Sequence, residues 1–531
     1  MKAMRKSRVH LAVAAGLLAL TATAPVVQAD GHIESVGTGK LLVFPYYTVN
    51  QGWVTTVNLT NTTDKTLALK VRFHERKNSR DVLDFNIVMS PYDVWTGWVQ
   101  ADGDNGPQLF TNDKSCTSPK VVNGAKASVI AYTGEFDDTG GSGFPRMRDG
   151  YIEVLLMGEA DEIDAPPGGW SSATAIADET SLYVPYHAEH VNGVPRNCDL
   201  VDQAFIATVP VWQDGDNPLD SGGDLSEDDD ASDAYGSGDP LARIDFDAPE
   251  SSPVKGNISW LNIGSGAGAG STAIHIDVES KNWVTAQQFP WFLEPTFASM
   301  GGSTLWTVDA VTQFESQVSA ISTFNEWAAN ADTGAATDWV VTFPTKAFHA
   351  DKFNDQIQAA FSKYRNGMSD VVDCDSDLPA FRSTCVDDST PEVAPFEHLF
   401  GVQGNGDSVV TVEYTLFNRE EGSEIIETDG TTISPAPPPE VRIDTLRWEA
   451  NVVQFAGASV LGSPNPAVVD ASGVLAGAKN GWAKISFTGD AARELGLPVA
   501  AFAVKARTQG EASSNYGQAF DNGYEAIVDV D

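Results

Sequence analysis

Apolar and polar positions alternate through most of the chain. Trp53, Thr55, Val57 and Leu59 interleave with Val54, Thr56, Asn58 and Thr60, a period of two that puts the two sets on opposite faces of an extended segment. Leu67, Leu69, Val71 and Phe73 repeat the pattern against Ala68, Lys70, Arg72 and His74, and Leu83, Phe85, Ile87 and Met89 repeat it again. A turn-rich cluster, Asn61, Thr62, Thr63 and Asp64, follows the first run, where short polar side chains favour chain reversal. The polar stretch 75–80 reads as a connection of hairpin size between the second and third. A half-buried antiparallel sheet follows, with further strands expected at 41–47, 94–99, 127–132, 151–157 and 205–212. Many short strands without a helical period predict an immunoglobulin-like β-sandwich over residues 30–212.

Residues 213–243 break the pattern with a Gly, Ser and Asp-rich run that includes Asp228, Asp229 and Asp230. Few large apolar residues anchor it, so it reads as an exposed linker or loop. Beyond it, strands are expected at 258–263, 273–278, 339–343, 410–416, 481–487 and 501–506. Helical spacing occurs twice. Val311, Phe314, Val318 and Ile321 share one helical face, and Phe353, Ile357, Ala360, Phe361 and Tyr364 share another that Gly367 caps. Residues 244–531 are therefore expected to form a larger β-rich domain with helices near 307–328 and 353–366, and with a stiff proline-rich connector at 435–439. The predicted class is mainly β.

The N-terminus adds a compartment. Lys2, Arg5, Lys6 and Arg8 precede an apolar run that ends before Val27, Gln28 and Ala29, the layout of a secretory signal peptide cleaved after Ala29. An exported chain with four cysteines predicts two disulfides. The pairing of Cys116 with Cys198 and of Cys374 with Cys385 keeps each bond within one compositional half. Export implies a location outside the cell, and no later segment reads as transmembrane.

Charge then narrows the partners. The chain holds 33 Lys+Arg against 73 Asp+Glu, a net charge of -40. Removal of residues 1–29 takes four cations and leaves -44 over 502 residues. Nucleic acid needs a cationic stripe and is excluded as a partner. Copies of such a chain repel one another until salt or divalent cations neutralise the carboxylates.

Candidate chemistry is sparse. The glycines Gly264, Gly266, Gly268 and Gly270 follow a strand, but a dinucleotide loop needs a helix next and the following segment alternates, so a hairpin loop is expected. His187, Glu189 and His190 are the densest set of metal-ligand types, yet they lack the spacing of a zinc hydrolase and read as surface polar residues. Asp373, Asp375 and Asp377 begin like a calcium loop, which then fails at Leu378 and Thr384. With Asp228, Asp229 and Asp230 they are the calcium candidates; Asp102 with Asp104 and Asp137 with Asp138 are as suggestive, and as unspecific, as Asp228 to Asp230. Trp95 and Trp98 lie close together, as a sugar platform would require. No catalytic residue is assigned.

Three segments carry a resemblance. Val71-Arg-Phe-His-Glu75, with Asn78-Ser-Arg-Asp81 and the run Val82 to Trp95, looks like the N-terminal signature of large acidic exported proteins of proteobacteria. Asp338-Trp-Val-Val-Thr-Phe-Pro-Thr-Lys346 and Gly496-Leu-Pro-Val-Ala-Ala-Phe502 are similar to later parts of the same proteins. Among these the chain resembles the surface-layer proteins of marine gammaproteobacteria, which assemble into a lattice outside the outer membrane. The resemblance implies a structural, non-enzymatic protein whose partners are copies of itself, with an outer-membrane component or a polysaccharide as attachment. The chain departs from other surface-layer designs in having no tandem anchoring repeats or calcium-binding nonapeptides. Two other readings stand beside it: a secreted polysaccharide- or matrix-binding β-sandwich, and a secreted hydrolase using a carboxylate pair or the His187/His190 set.

Overall fold

The computed structural model describes residues 37–160, 184–206, 251–277, 313–350, 394–400, 407–418, 441–455, 459–469, 477–508 and 515–526, apart from 122, 135, 136 and 399. The described chain is mainly β. Its first part comprises β1 (Leu41–Thr48), β2 (Trp53–Asn61), β3 (Thr66–Glu75), β4 (Asp81–Met89), β5 (Val94–Ala101), β6 (Pro107–Thr111), β7 (Cys116–Ser118), β8 (Ala125–Lys126) and β9 (Asp149–Ala160). A short hairpin of β10 (His190–Val191) and β11 (Val194–Pro195) follows, and then β12 (Val254–Asn262), β13 (Ala267–Thr272) and β14 (Ile274–Ile276).

Two six-stranded sheets stack into a sandwich, one in the order β14-β1-β9-β3-β4-β7 and the other in the order β13-β12-β2-β5-β6-β8. The alternation read from the sequence decides which side chains meet between them. Trp53, Val57 and Leu59 of β2 and Trp95 and Val99 of β5 face Phe44, Leu69 and Phe85 in one core, and the Phe85 and Trp95 rings lie 5.7 Å apart. Gly256 lets β12 approach β1, since a Cβ there would lie 2.6 Å from atoms of Leu42 and Phe44. Twelve strands exceed the seven or nine of an immunoglobulin domain.

The topology moves the expected boundary. Strands β12 to β14 lie beyond the acidic run, yet β12 pairs with β2 from Val254↔Asn61 to Asn262↔Trp53, and β14 pairs with β1. The chain thus leaves the first sandwich and returns to complete it. Residues 213–243, with Asp228, Asp229 and Asp230, lie outside the described residues. So do 1–29, 353–366, 435–439, Cys374, Cys385, Asp373, Asp375 and Asp377.

The second sandwich contains β15 (Ser319–Ala320), β16 (Ser322–Ala328), β17 (Ala335–Thr342), β18 (Val410–Asn418), β19 (Val441–Leu446), β20 (Ala450–Phe455) and β21 (Ala467–Val469). It is completed by β22 (Asn480–Phe487), β23 (Leu497–Pro498), β24 (Ala500–Arg507), β25 (Tyr516–Asp521) and β26 (Gly523–Glu525). One five-stranded sheet runs β19-β18-β22-β16-β26 and the other β21-β20-β17-β24-β25. The latter is covered on both sides. Trp339, Val341 and Val453 face the other sheet of this sandwich, whereas Val340, Val452, Phe502 and Val504 join the core of the first sandwich. Phe502 stacks on Trp260 at 5.0 Å, and Trp53 donates from its indole to the Val460 carbonyl at 3.0 Å. One continuous apolar core therefore couples the two sandwiches.

Three elements differ from the sequence reading. Residues 130–132, inside the strand expected at 127–132, form a 3-10 turn after β8 ends. Residues 205 and 206 close the helix Cys198–Ile206, where a strand was expected. Of the helix expected over 307–328, residues 313–318 are helical; β16 then pairs from Ser322↔Ser486 to Ala328↔Asn480, so sheet hydrogen bonds override the local helical spacing. The Gly-rich run is the expected hairpin, since β12 and β13 pair from Asn262↔Ala267 onward.

Candidate functional site

The connection 75–80, which its polarity would place in solvent, is largely enclosed. Glu75 is 0% exposed and Arg80 1%. The Glu75 carboxylate organises the turn by accepting from the backbone amides of Lys77 at 2.9 Å, Asn78 at 2.9 Å and Arg80 at 3.2 Å. Arg146 then grips Glu75 with two bonds of 2.7 and 2.8 Å, the bidentate geometry that makes an Arg–carboxylate pair strong. The same guanidinium donates to Asp138 at 2.6 Å and lies 4.4 Å over the Tyr132 ring. Asn78 and the Gly140 amide also donate to Asp138, and Arg80 approaches it at 3.4 Å. Burial would raise the Asp138 carboxyl, but the Arg146 hydrogen bonds and charge, with Arg80, bring it down to about 2. Burial likewise works against ionised Glu75, and Arg146 overcomes it, leaving that carboxyl below its ordinary value.

This turn also touches the second sandwich. The Arg76 and Lys77 carbonyls accept from the backbone amides of Ala450 at 2.9 Å and Glu449 at 3.1 Å. Arg76 lies 4.5 Å over the Trp448 ring and Lys77 5.5 Å from its centroid. Tyr151 donates to the Pro344 carbonyl at 3.3 Å. The paired charges thus sit at a joint between two bodies, where unpaired charges would be costly.

A second polar layer lies beside it. The sequence makes the Lys70, Arg72 and His74 face of β3 the solvent side, but every residue of β3 and β9 is buried. Arg72 donates to Asp81 at 2.7 Å. The His74 ring nitrogens lie 2.9 Å from Ser79 O and 2.9 Å from the Glu153 carboxylate. Burial pushes Lys70 down to about 8, opposed by Asp84, and pushes Asp84 upward.

The segment 338–346 supplies two more buried groups. Asp338 accepts from Ser459 Oγ at 3.0 Å and from the amides of Val460 and Leu461 at 2.8 Å each; burial still raises it to about 6. Lys346 donates to the Ser408 and Trp448 carbonyls among the rings of Phe343, Phe396 and Phe400. Burial pushes it down to about 7, opposed by Glu449 and Asp407. Both side chains are 0% exposed, so the surrounding core keeps a substrate away from them. Their position ties strands and loops together.

The expected sites fare differently. Cys116 and Cys198 form the predicted disulfide, joining β7 to the helix Cys198–Ile206. His187 is buried at the end of the helix Val184–Ala188, Glu189 is held by Arg196 at 2.8 and 3.1 Å, and His190 bonds Ser90 at 2.8 Å. Glu189 and His190 thus have separate partners, and the His187 ring lies 5.3 Å from that of Tyr186. Among the described residues no group of three His, Cys, Asp or Glu is spaced to hold a metal ion. Asp102 accepts from Lys126 and Asn105, and Asp138 belongs to the Arg146 cluster. Trp95 is core, whereas Trp98 stacks on Phe110 at 5.7 Å on an open sheet face. The sequence reading missed the roles of Glu75, Arg146, Asp338 and Lys346; all but Arg146 lie in segments that carry the resemblance.

Two clefts open near the joint. One of ≈ 570 Å³ lies beside Trp448 and Asp407, with Lys77 and Arg447 on its wall. Trp448 donates to Asp407 there at 2.9 Å. The other, ≈ 930 Å³, lies between the sandwiches and is lined by Trp53, Asn262, Asn330, Asp332 and Lys479. No helix among the described residues is long and apolar enough to cross a membrane. Compared with known proteins, the chain matches no family model, no curated protein and no solved structure.

Proposed function

We propose that this chain is a structural protein of the bacterial cell envelope, exported and assembled with copies of itself into a surface layer outside the outer membrane. The observation that carries the reading is the continuous core that joins the sandwiches, from Trp260 on Phe502 to Val340 and Val452. A lattice needs a unit whose parts keep a fixed relation, and two sandwiches sharing one core and one buried ionic joint meet that need. The acid excess of -40 supports assembly governed by divalent cations, with calcium the extracellular candidate. The buried ion pairs fit the same role, since their partners are each other.

Addition of calcium to the purified protein tests this by sedimentation. Material that pellets with calcium and returns to solution on chelation supports it, whereas protein that stays monomeric in both conditions contradicts it. A secreted polysaccharide-binding protein is the second reading, favoured by Trp98 on Phe110 and by Phe417 on Trp482, whose rings stack at 3.9 Å.

A further inference from the structure

The sheet β13-β12-β2-β5-β6-β8 has a property unexpected in a chain with 73 Asp+Glu: none of its six strands contains an acid. Its charged residues are Lys255 and Lys126. The outward positions of β2 alternate with buried ones along the whole strand, and the same holds for β12 until its last residue. The face is therefore open to solvent; hydroxyls and amides surround one aromatic pair, with Val54, Val94, Leu261 and Lys255 also at outward positions. Thr56 lies between Ser259 and Trp98, and Asn58 between Asn257 and Thr96; Trp98 is opposite Phe110. Asp521 of β25 accepts from Ser271 at the β13 edge, and three acids just beyond strand ends are tied down. Asp93 accepts from Ser115 and Val94, Asp102 from Lys126, and Asp113 from the Thr96 amide and Ser115. By contrast, Glu326 and Glu413 lie in the strands of the open sheet of the second sandwich.

We infer that this acid-free face is where two copies of the chain meet, face to face. The inference rests on the self-assembly proposed above and adds the surface that performs it. Like-charge juxtaposition across an interface costs several kcal/mol, and a copy approaching through an acidic face meets that penalty before it gains contact. On this face the penalty is least. At a strand spacing of about 4.8 Å and a rise of about 3.4 Å per residue the face measures roughly 600 Å². Two copies would bury about 1,200 Å², the lower end of a specific interface. Such a contact holds in an array of many contacts and is weak alone. Trp98 and the amide and hydroxyl groups suit a second face of the same composition.

A charge-swap experiment tests this in the full chain. Thr56→Glu/Asn257→Glu and Thr56→Lys/Asn257→Lys alter two partly exposed outward positions, and circular dichroism with thermal unfolding verifies that each variant folds like the parent. The concentration at which each pellets with calcium is then measured, alone and mixed one to one. Face-to-face contact predicts that each variant alone needs roughly tenfold more protein or higher, and that the mixture returns toward the parent. Assembly of both variants at the parent's concentration overturns the inference while leaving self-assembly intact. Assembly of the lysine variant but not the glutamate variant overturns it in favour of contact with an acidic face. A parent that never pellets sinks the surface-layer reading itself. If the parent instead binds an insoluble neutral glucan and Trp98→Ala abolishes that binding, the face is a glycan platform and the inference fails.

Discussion

Replacing Arg146 by Met removes the cation that two buried carboxylates share. Glu75 and Asp138 are each 0% exposed and would face each other with Arg80 and Asn78 as their remaining side-chain partners. The Asp138 carboxyl falls from 3.8 to about 2 in the fold, and a fall of that size corresponds to about 2.5 kcal/mol of stability. Breaking a buried ion pair from one side costs about 3–5 kcal/mol, so the two routes agree on the order of magnitude. A depressed folded pKa contributes stability above the unfolded value, and that stability is lost as pH falls toward about 2. Without Arg146 only Arg80, Asn78 and the backbone amides oppose burial, which then raises both carboxyls, so the variant recovers as they protonate. Urea unfolding followed by tryptophan fluorescence should place Arg146→Met about 3–5 kcal/mol below the parent at pH 7, with a smaller gap at pH 4.5. A gap below about 1 kcal/mol at pH 7, or one that does not shrink in acid, would refute the view that this cluster clamps the joint.

Other perturbations probe other parts of the fold. Because burial lowers Lys346 to about 7, the unfolded chain binds its proton between about 7 and 10.5 while the folded chain does not, and stability rises with pH across that window. Lys346→Met should reduce the slope by about 1.4 kcal/mol per pH unit between pH 8 and 9; an unchanged slope assigns the titration elsewhere. Phe502→Ala should cost about 3–5 kcal/mol and split one calorimetric transition into two, since Phe502 bridges the cores at Trp260. Cys116→Ala/Cys198→Ala opens a crosslink with a sequence separation of 82 and should lower stability by about 2–5 kcal/mol, read from the urea midpoint.

The strands were legible where one face is buried and the other wet. At β2 the burial alternates residue by residue, which is what the Trp53, Thr55, Val57, Leu59 register expresses. Where both faces are buried the same code misleads. Lys70, Arg72 and His74 read as the solvent side of β3, but they are enclosed with Asp81 and Glu153 as partners. No local signal marks this, because burial of a charge is decided by its partner. Glu75 meets Arg146 at a sequence distance of 71, and the Arg76 carbonyl meets the amide of Ala450. The helix expected over 307–328 failed for a related reason. The spacing of Phe314 and Val318 is helical and residues 313–318 obey it, but from Ser322 onward the chain pairs with β22 and β26. The sandwich boundary was illegible because composition marks the acidic run, whereas pairing of β12 with β2 decides which body owns the next strands.

Electron microscopy of the negatively stained protein, with calcium and after chelation, tests assembly most directly. A periodic sheet that forms with calcium and disperses without it is the predicted result. Separate, uniform particles in both conditions, at concentrations where the protein remains folded, would contradict it.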